Sequence, residues 1–166
     1  AFDAARQFAE NPRGWLVLIG AHGSGKTHLA AAIANFRAET HIPPQFRDVS
    51  DFLDHLRATF SPSSTVTLDR RFEEVRTAPL LILDNLGMQS STPWATEKLY
   101  QLLNYRYIAK LPTVVTSALS LDEIEPRLRS RMMDRRLCSI YAITAPPYTG
   151  APSRKTRPAG KSRRSR

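Results

Sequence analysis

The chain has 166 residues, a formal net charge of +9 and one cysteine, Cys138. A domain of this length buries about two-thirds of its unfolded surface, and a lone cysteine excludes an internal disulfide framework, which points to a reducing, cytoplasmic setting. No apolar run approaches a membrane span, and the opening residues, AFDAARQFAE, have neither the basic start nor the apolar core of a signal peptide.

The charge is unevenly placed. Seven of the 24 Lys and Arg residues follow Ser153 with no Asp or Glu among them, and the other 17 face all 15 acidic residues, so residues 1–153 carry only +2. From 149 to 166 the chain offers no large apolar side chain and is expected to be a disordered basic tail. Residues 1–148 are expected to form one domain.

In chain order, residues 1–10 read as a helix with Phe2, Ala5 and Phe8 on one face, closed by Asn11-Pro12. Trp15–Ile19 is a short apolar run of the kind that a strand buried on both faces shows. A glycine-rich turn, Gly20–Gly25, leads into a helix over His28–Arg37. Phe46–Val49 is a weak strand, and Ser50 is placed to cap a helix carrying Phe52, Leu53, Leu56 and Phe60. A serine-rich loop over 61–67 precedes a short helix around 68–77. Leu80–Leu83 is a second buried strand ending at Asp84. Pro93 opens a long helix to about Lys110, and Thr113–Ser117 is a β-branched strand. Ser120 and Glu123 have capping-box spacing, and Ser139–Ile143 is the last strand. Short apolar strands alternating with helices predict an α/β domain with a five-stranded parallel sheet.

The sharpest motif is Gly20-Ala21-His22-Gly23-Ser24-Gly25-Lys26-Thr27, which fits G-x-x-x-x-G-K-[ST] between a strand and a helix. Glycines let successive N–H groups turn toward phosphate oxygens, and the following helix adds its N-terminal donors. Lys26 brings an ammonium to the β- and γ-phosphates, and the Thr27 hydroxyl can ligate Mg²⁺. His28 completes the cofactor-binding stretch. Asp84, at the end of an apolar strand, is the candidate for the metal side of the site. His22 and His28 read otherwise as surface residues, and Trp15, Trp94, Tyr100, Tyr105 and Tyr107 as core. No spacing indicates zinc, a Ser–His–Asp constellation or a haem.

GAHGSGKTHLAAAIA at 20–34, LLILDNLG at 80–87, LPTVVTSALSLDEIEPRL at 111–128 and RSRMMDR at 129–135 together resemble the DnaC/IstB-like branch of AAA+ ATPases, which includes bacterial helicase loaders and transposition helpers. The resemblance covers about residues 1–148. It implies a three-layer P-loop fold with strand order 5-1-4-3-2, no C-terminal lid domain, and ATP with Mg²⁺ at the C-terminal ends of the strands. It also implies an ATP-dependent homo-oligomer in which Arg131, paired in sequence with Arg127 and Arg129 nearby, reaches a neighbour's ATP as an arginine finger.

Two positions depart from the branch. Asn85 stands where a water-polarising carboxylate is usual, and Ala118 stands where an Asn helps place water. Both departures strike hydrolysis and spare binding, so turnover is expected to be slow or absent, and Asn85→Asp is expected to raise it. The basic tail reads as non-specific phosphate binding, and the resemblance implies single-stranded DNA as the partner, contacted by helices in the region of Arg70 and Arg71. The resulting expectation is ATP-switched assembly on single-stranded DNA that helps load a replicative helicase. The alternative is a non-hydrolysing adaptor or transposition helper that recruits a transposase. A small-molecule kinase using the same loop is a third reading, for which residues 85–93 supply no phosphate-binding Arg.

Overall fold

A computed structural model describes residues 1–40, 43–59, 68–88 and 92–146. Phe60, the serine-rich loop at 61–67 and the basic tail lie outside these residues. Helix α1 (Phe2–Glu10) is followed by β1 (Trp15–Gly20), α2 (Lys26–Glu39), β2 (Gln45–Asp48), α3 (Val49–Ala58), α4 (Leu68–Arg76), β3 (Leu81–Leu86), α5 (Pro93–Ile108), β4 (Thr113–Ser117), α6 (Pro126–Met132) and β5 (Cys138–Ile143). The strands form one parallel sheet in the order β2-β3-β4-β1-β5, the expected order read from the other edge.

Alternation along the central strands divides the core in two, because successive side chains leave a strand on opposite faces. Trp15, Val17, Leu81, Leu83 and Val115 join residues of α3 to α6 on one face, and Leu16, Leu18, Ile82 and Val114 join α1 and α2 on the other. Each fully buried aliphatic side chain contributes about 1.5–3 kcal/mol, so the sheet is held from both sides. The weak sequence signal of β2 follows from its place at the sheet edge, where Arg47 is exposed and polar residues cost little.

Several boundaries differ from the expectations by a residue or two, and three differences have a local reason. The cap of α3 is Asp48, not Ser50: Asp48 Oδ1 accepts from the backbone N–H groups of Ser50 at 2.9 Å and Asp51 at 3.3 Å. The Ser120–Glu123 capping box is present, but it closes only the 3₁₀ turn Leu121–Glu123. Pro126 bars Glu125 from helical backbone, and Glu125 instead caps α6 through Leu128 N at 2.9 Å. Strand β3 runs past Asp84 to Leu86 through an irregularity in its pairing with β4 between Leu83 and Leu86. Asn85 lies in that irregularity at φ 63°. At the start of β5, Cys138 is buried, with its thiol donating to Arg131 O at 3.3 Å.

At the other end of the sheet, Arg106 of α5 is fully buried. Its guanidinium donates to the carbonyls of Val75, Arg76, Ala78 and Pro112 and to Thr113 Oγ1, at 2.6–3.4 Å. Burial lowers its pKa to about 10, which leaves it charged at neutral pH. Among the described residues no helix is long and apolar enough to cross a membrane.

Candidate functional site

The loop between β1 and α2 is shaped by what it lacks. A Cβ at Gly20 would lie 2.4 Å from the carbonyl oxygen of Ile143, so the close approach of β5 admits only glycine there. Gly25 takes φ 95° at the N-cap of α2, a conformation that side chains resist. No side chain caps α2, which leaves the donors of its first turn to a ligand. Ala21, His22, Gly23, Thr27 and His28 are exposed around this mouth, while Ser24 and Lys26 are buried. A cleft of about 830 Å³ runs along the loop from His22 to His28 and is also lined by Asn85. That volume suits a nucleotide-sized ligand.

Lys26 is folded back onto its own loop. Its ammonium donates to the carbonyls of Gly20 and Ala21, both at 2.8 Å, and lies 3.5 Å from Ser24 Oγ. Burial lowers its pKa from the usual lysine value, with Asp84 pulling the other way. The cation is therefore held at the loop by acceptors that a phosphate can replace.

Facing it, Asp84 is buried at the C-terminal end of β3 and receives three donors. Thr27 Oγ1 lies 2.9 Å and 3.1 Å from its two oxygens, Thr116 Oγ1 donates at 2.5 Å, and Asn85 Nδ2 donates at 3.3 Å. Thr116 also accepts from the backbone N–H of Asn85 at 3.0 Å. Asn85 Nδ2 makes a second bond, to Asp48 Oδ2, at 2.8 Å. The Thr27 hydroxyl and Asp84 carboxylate thus converge as hard oxygen donors, a set that fits Mg²⁺. Among the described residues no group of three or more His, Cys, Asp or Glu could hold a metal without such help.

Sequence reasoning brought Lys26, Thr27, Asp84 and Asn85 together, and the fold does the same. It missed Thr116 and Asp48. Thr116 is a fully buried hydroxyl in a strand that reads as uniformly β-branched. Only the neighbouring strand's carboxylate gives it a task. Asp48 reads along the chain as a polar residue in a weak strand, and β2 pairs it with Asp84 in register. Ala118 brings no polar group to the end of β4, and Thr116 is the residue of that strand which bonds Asp84.

The arginines of α6 stand apart from this chain's own loop. Arg127 pairs with Glu125 at 2.9 Å and Glu97 at 3.3 Å, and it lies over the Tyr100 ring. Arg129 pairs with Asp122 at 2.9 Å. Arg131 has no carboxylate partner among the described residues: its Nε donates to Asn104 Oδ1 at 3.2 Å and its guanidinium lies over Tyr107. Tyr107 in turn donates to Asp134 at 2.6 Å.

Several known proteins are similar to this chain in sequence or in fold. The replicative helicase loader DnaI of Bacillus subtilis (strain 168) is 33% identical over 125 residues, covering 74% of this chain and 39% of that protein. The crystal structure of the DnaC helicase loader superposes with a TM-score of 0.72 at 23% identity, over 85% of this chain and 86% of that one. The replication initiator DnaA bound to AMPPCP and single-stranded DNA gives 0.73 at 19% identity, over 85% of this chain and 44% of that one. These two likenesses establish the P-loop AAA+ fold. The chain spans roughly 39–56% of the length of the helicase-loader relatives it matches. Residues 4–140 match the model of the IstB-like ATP binding proteins, and the chain belongs to that family.

Proposed function

We propose that this chain binds Mg²⁺-ATP at the Gly20–Thr27 loop and uses it as a switch for assembly on single-stranded DNA, in the service of loading a replicative helicase. The observation that carries the reading is the pairing of a buried lysine, which among the described residues bonds its own loop, with a hydroxyl–carboxylate pair opposite it. Phosphate oxygens would take the Lys26 hydrogens from Gly20 and Ala21, and the first turn of α2 would supply backbone donors. Thr27 and Asp84 would hold Mg²⁺, which supplies charge neutralisation for the β- and γ-phosphates.

The helicase and DNA parts of the reading are supported by the loader relatives and by the DnaA likeness. They gain support from a cleft of about 440 Å³ beside α3 and α4 whose lining includes Arg47, Arg70 and Arg71, with Glu74 paired to Arg70 at 3.3 Å. The excess of arginine there suits a phosphate backbone. Arg131, with no carboxylate of its own, is the arginine best placed to serve a neighbouring copy's ATP, which makes the active form a homo-oligomer. Asn85 favours slow hydrolysis, because an amide can orient a water but cannot take its proton. The same residue supports a second reading, an adaptor or transposition helper whose assembly ATP gates without turnover.

The test is single-turnover ATP hydrolysis with and without single-stranded DNA, with Lys26→Ala as the blank. Lys26-dependent turnover accelerated by DNA is the expected result for a loader-type ATPase. Tight ATP binding without turnover gives the adaptor. Failure to bind ATP overturns both.

A further inference from the structure

The end of the sheet opposite the Gly20–Thr27 loop gathers the turns that enter three neighbouring strands. Trp15 of β1 stands in register with Thr113 of β4 on one side and Cys138 of β5 on the other. Trp15 N donates to Leu137 O at 2.8 Å, and Thr113 N donates to Gly14 O at 3.1 Å. A Cβ at Gly14 would collide with Leu137 O, so glycine lets the turns close on one another. Adjacent strands lie about 4.8 Å apart, and every one of these entries carries a cation. Arg13 precedes β1, Lys110 precedes β4, and Arg135 and Arg136 precede β5.

The side chains of Arg13, Lys110 and Arg135 are exposed and make no hydrogen bond or ion pair among the described residues. The carboxylates nearest to them in the chain are already engaged. Asp134 takes Arg136 at 3.0 Å and the Tyr107 hydroxyl at 2.6 Å, and Glu10 takes Arg6 at 3.7 Å. Lys110 also holds φ 53° just past α5, where Leu111 N bonds back to Arg106 O at 2.9 Å. That helix-ending position favours glycine, and lysine has only the helix dipole to offset its backbone cost there. Two apolar side chains join the cations. Ile108 ends α5, Met133 follows α6, and the bond from Tyr107 to Asp134 ties the two helix ends together. Ile108 is 69% exposed and Met133 57%, so the fold holds neither.

We propose that this end of the sheet is a docking surface for an acidic segment of a partner protein that also carries apolar side chains. Unpaired cations draw an acidic partner, and Arg and Met are enriched at protein interfaces. A phosphate backbone would use the cations and leave Ile108 and Met133 in water, and that difference favours a protein. The nucleotide cleft opens at the opposite ends of the strands, so both sites can be filled at once. Nothing in this surface depends on what fills the cleft.

The test titrates the full chain with a fluorescein-labelled peptide of Glu, Asp, Leu and Phe, followed by anisotropy and placed by nitrogen-15 NMR. Polyglutamate of equal length and a single-stranded DNA oligonucleotide are the comparisons. The basic tail is the same in every variant, so differences between variants report the folded body. The peptide is expected to shift the backbone amides of Gly14, Lys110 and Leu137. The triple variant Arg13→Ser, Lys110→Gly, Arg135→Ser should bind it about tenfold or more weakly. Its melting temperature should be at or above that of the wild type, because glycine relieves the left-handed backbone at 110. Ile108→Ser with Met133→Ser should weaken the peptide about threefold or more and leave polyglutamate unchanged. Absence of shifts at those three amides, or a triple variant that binds the peptide as the wild type does, overturns the proposal. An oligonucleotide that shifts the same amides at lower concentration than the peptide overturns it in favour of nucleic acid. Self-association that the triple variant abolishes, without peptide binding, overturns it in favour of a second copy of the chain.

Discussion

Two cations are buried at opposite ends of one sheet, and their acceptors differ in origin. Lys26 bonds carbonyls five and six residues away, within its own loop. Arg106 bonds carbonyls of α4 and of the turn before β3, 28 to 31 residues away, as well as acceptors before and in β4. Releasing the first set opens a loop and frees a charge, whereas releasing the second detaches a helix and two strand entries. The Arg106 acceptors include carbonyls in the last turn of α4, where the helix dipole favours a cation. Burial in both cases lowers the affinity for a proton. What separates a structural cation from a functional one here is whether its acceptors can be given up.

The largest expected effect is at Arg106. Arg106→Met leaves four carbonyls and a hydroxyl without their donor, and the expected loss is on the order of 3–5 kcal/mol in urea unfolding. ATP affinity of the folded fraction should not change. An affinity that fell in proportion to stability would break the division between the two ends.

Lys26→Ala is the converse. The carbonyls it leaves lie on a partly exposed loop and can be taken by water, and the cost of keeping a cation buried disappears. Stability should stay within about 1 kcal/mol of wild type, while ATP affinity falls about 10- to 100-fold in equilibrium binding. A large loss of stability would place Lys26 in the same class as Arg106.

The smallest effect concerns a charge that neither end buries. Asp134 is held well below the usual carboxylate range, first by its bonds to Arg136 and then by the Tyr107 hydroxyl. Its folded pKa lies below the unfolded value of about 3.9, so its contribution is present at neutral pH and lost as pH falls from that value through the folded one. Asp134→Asn should flatten the acid side of the stability curve and leave the curve's shape above pH 5 as it is. A curve unchanged by the substitution would show that surface solvent already screens the pair.

The sheet was legible because its central strands are buried on both faces and read as apolar runs, and the phosphate loop because its glycines and lysine have fixed spacing. The strand order came with the family likeness, since periodicity carries no information on which strand lies beside which. Asp48 and Thr116 were hidden for the same reason. Each is an ordinary polar residue along the chain, and each acquires its role only from a carboxylate or amide on the adjacent strand. The capping motifs were local enough to be recognised, yet Asp48 displaced Ser50 and Pro126 cut the helix at 120–125 short. A cap motif alone fixes neither the first residue of a helix nor its length.

Cys138 gives the chain a practical property. It is the only cysteine in the sequence, it is buried against α6, and burial pushes its thiol up to about 12. A thiol in that state does not react with maleimides while the fold is closed. The rate at which it becomes alkylated is therefore a clock for separation of β5 from α6, the helix that carries Arg131. A second cysteine introduced on the surface could take a fluorophore by itself, with the native thiol silent during labelling.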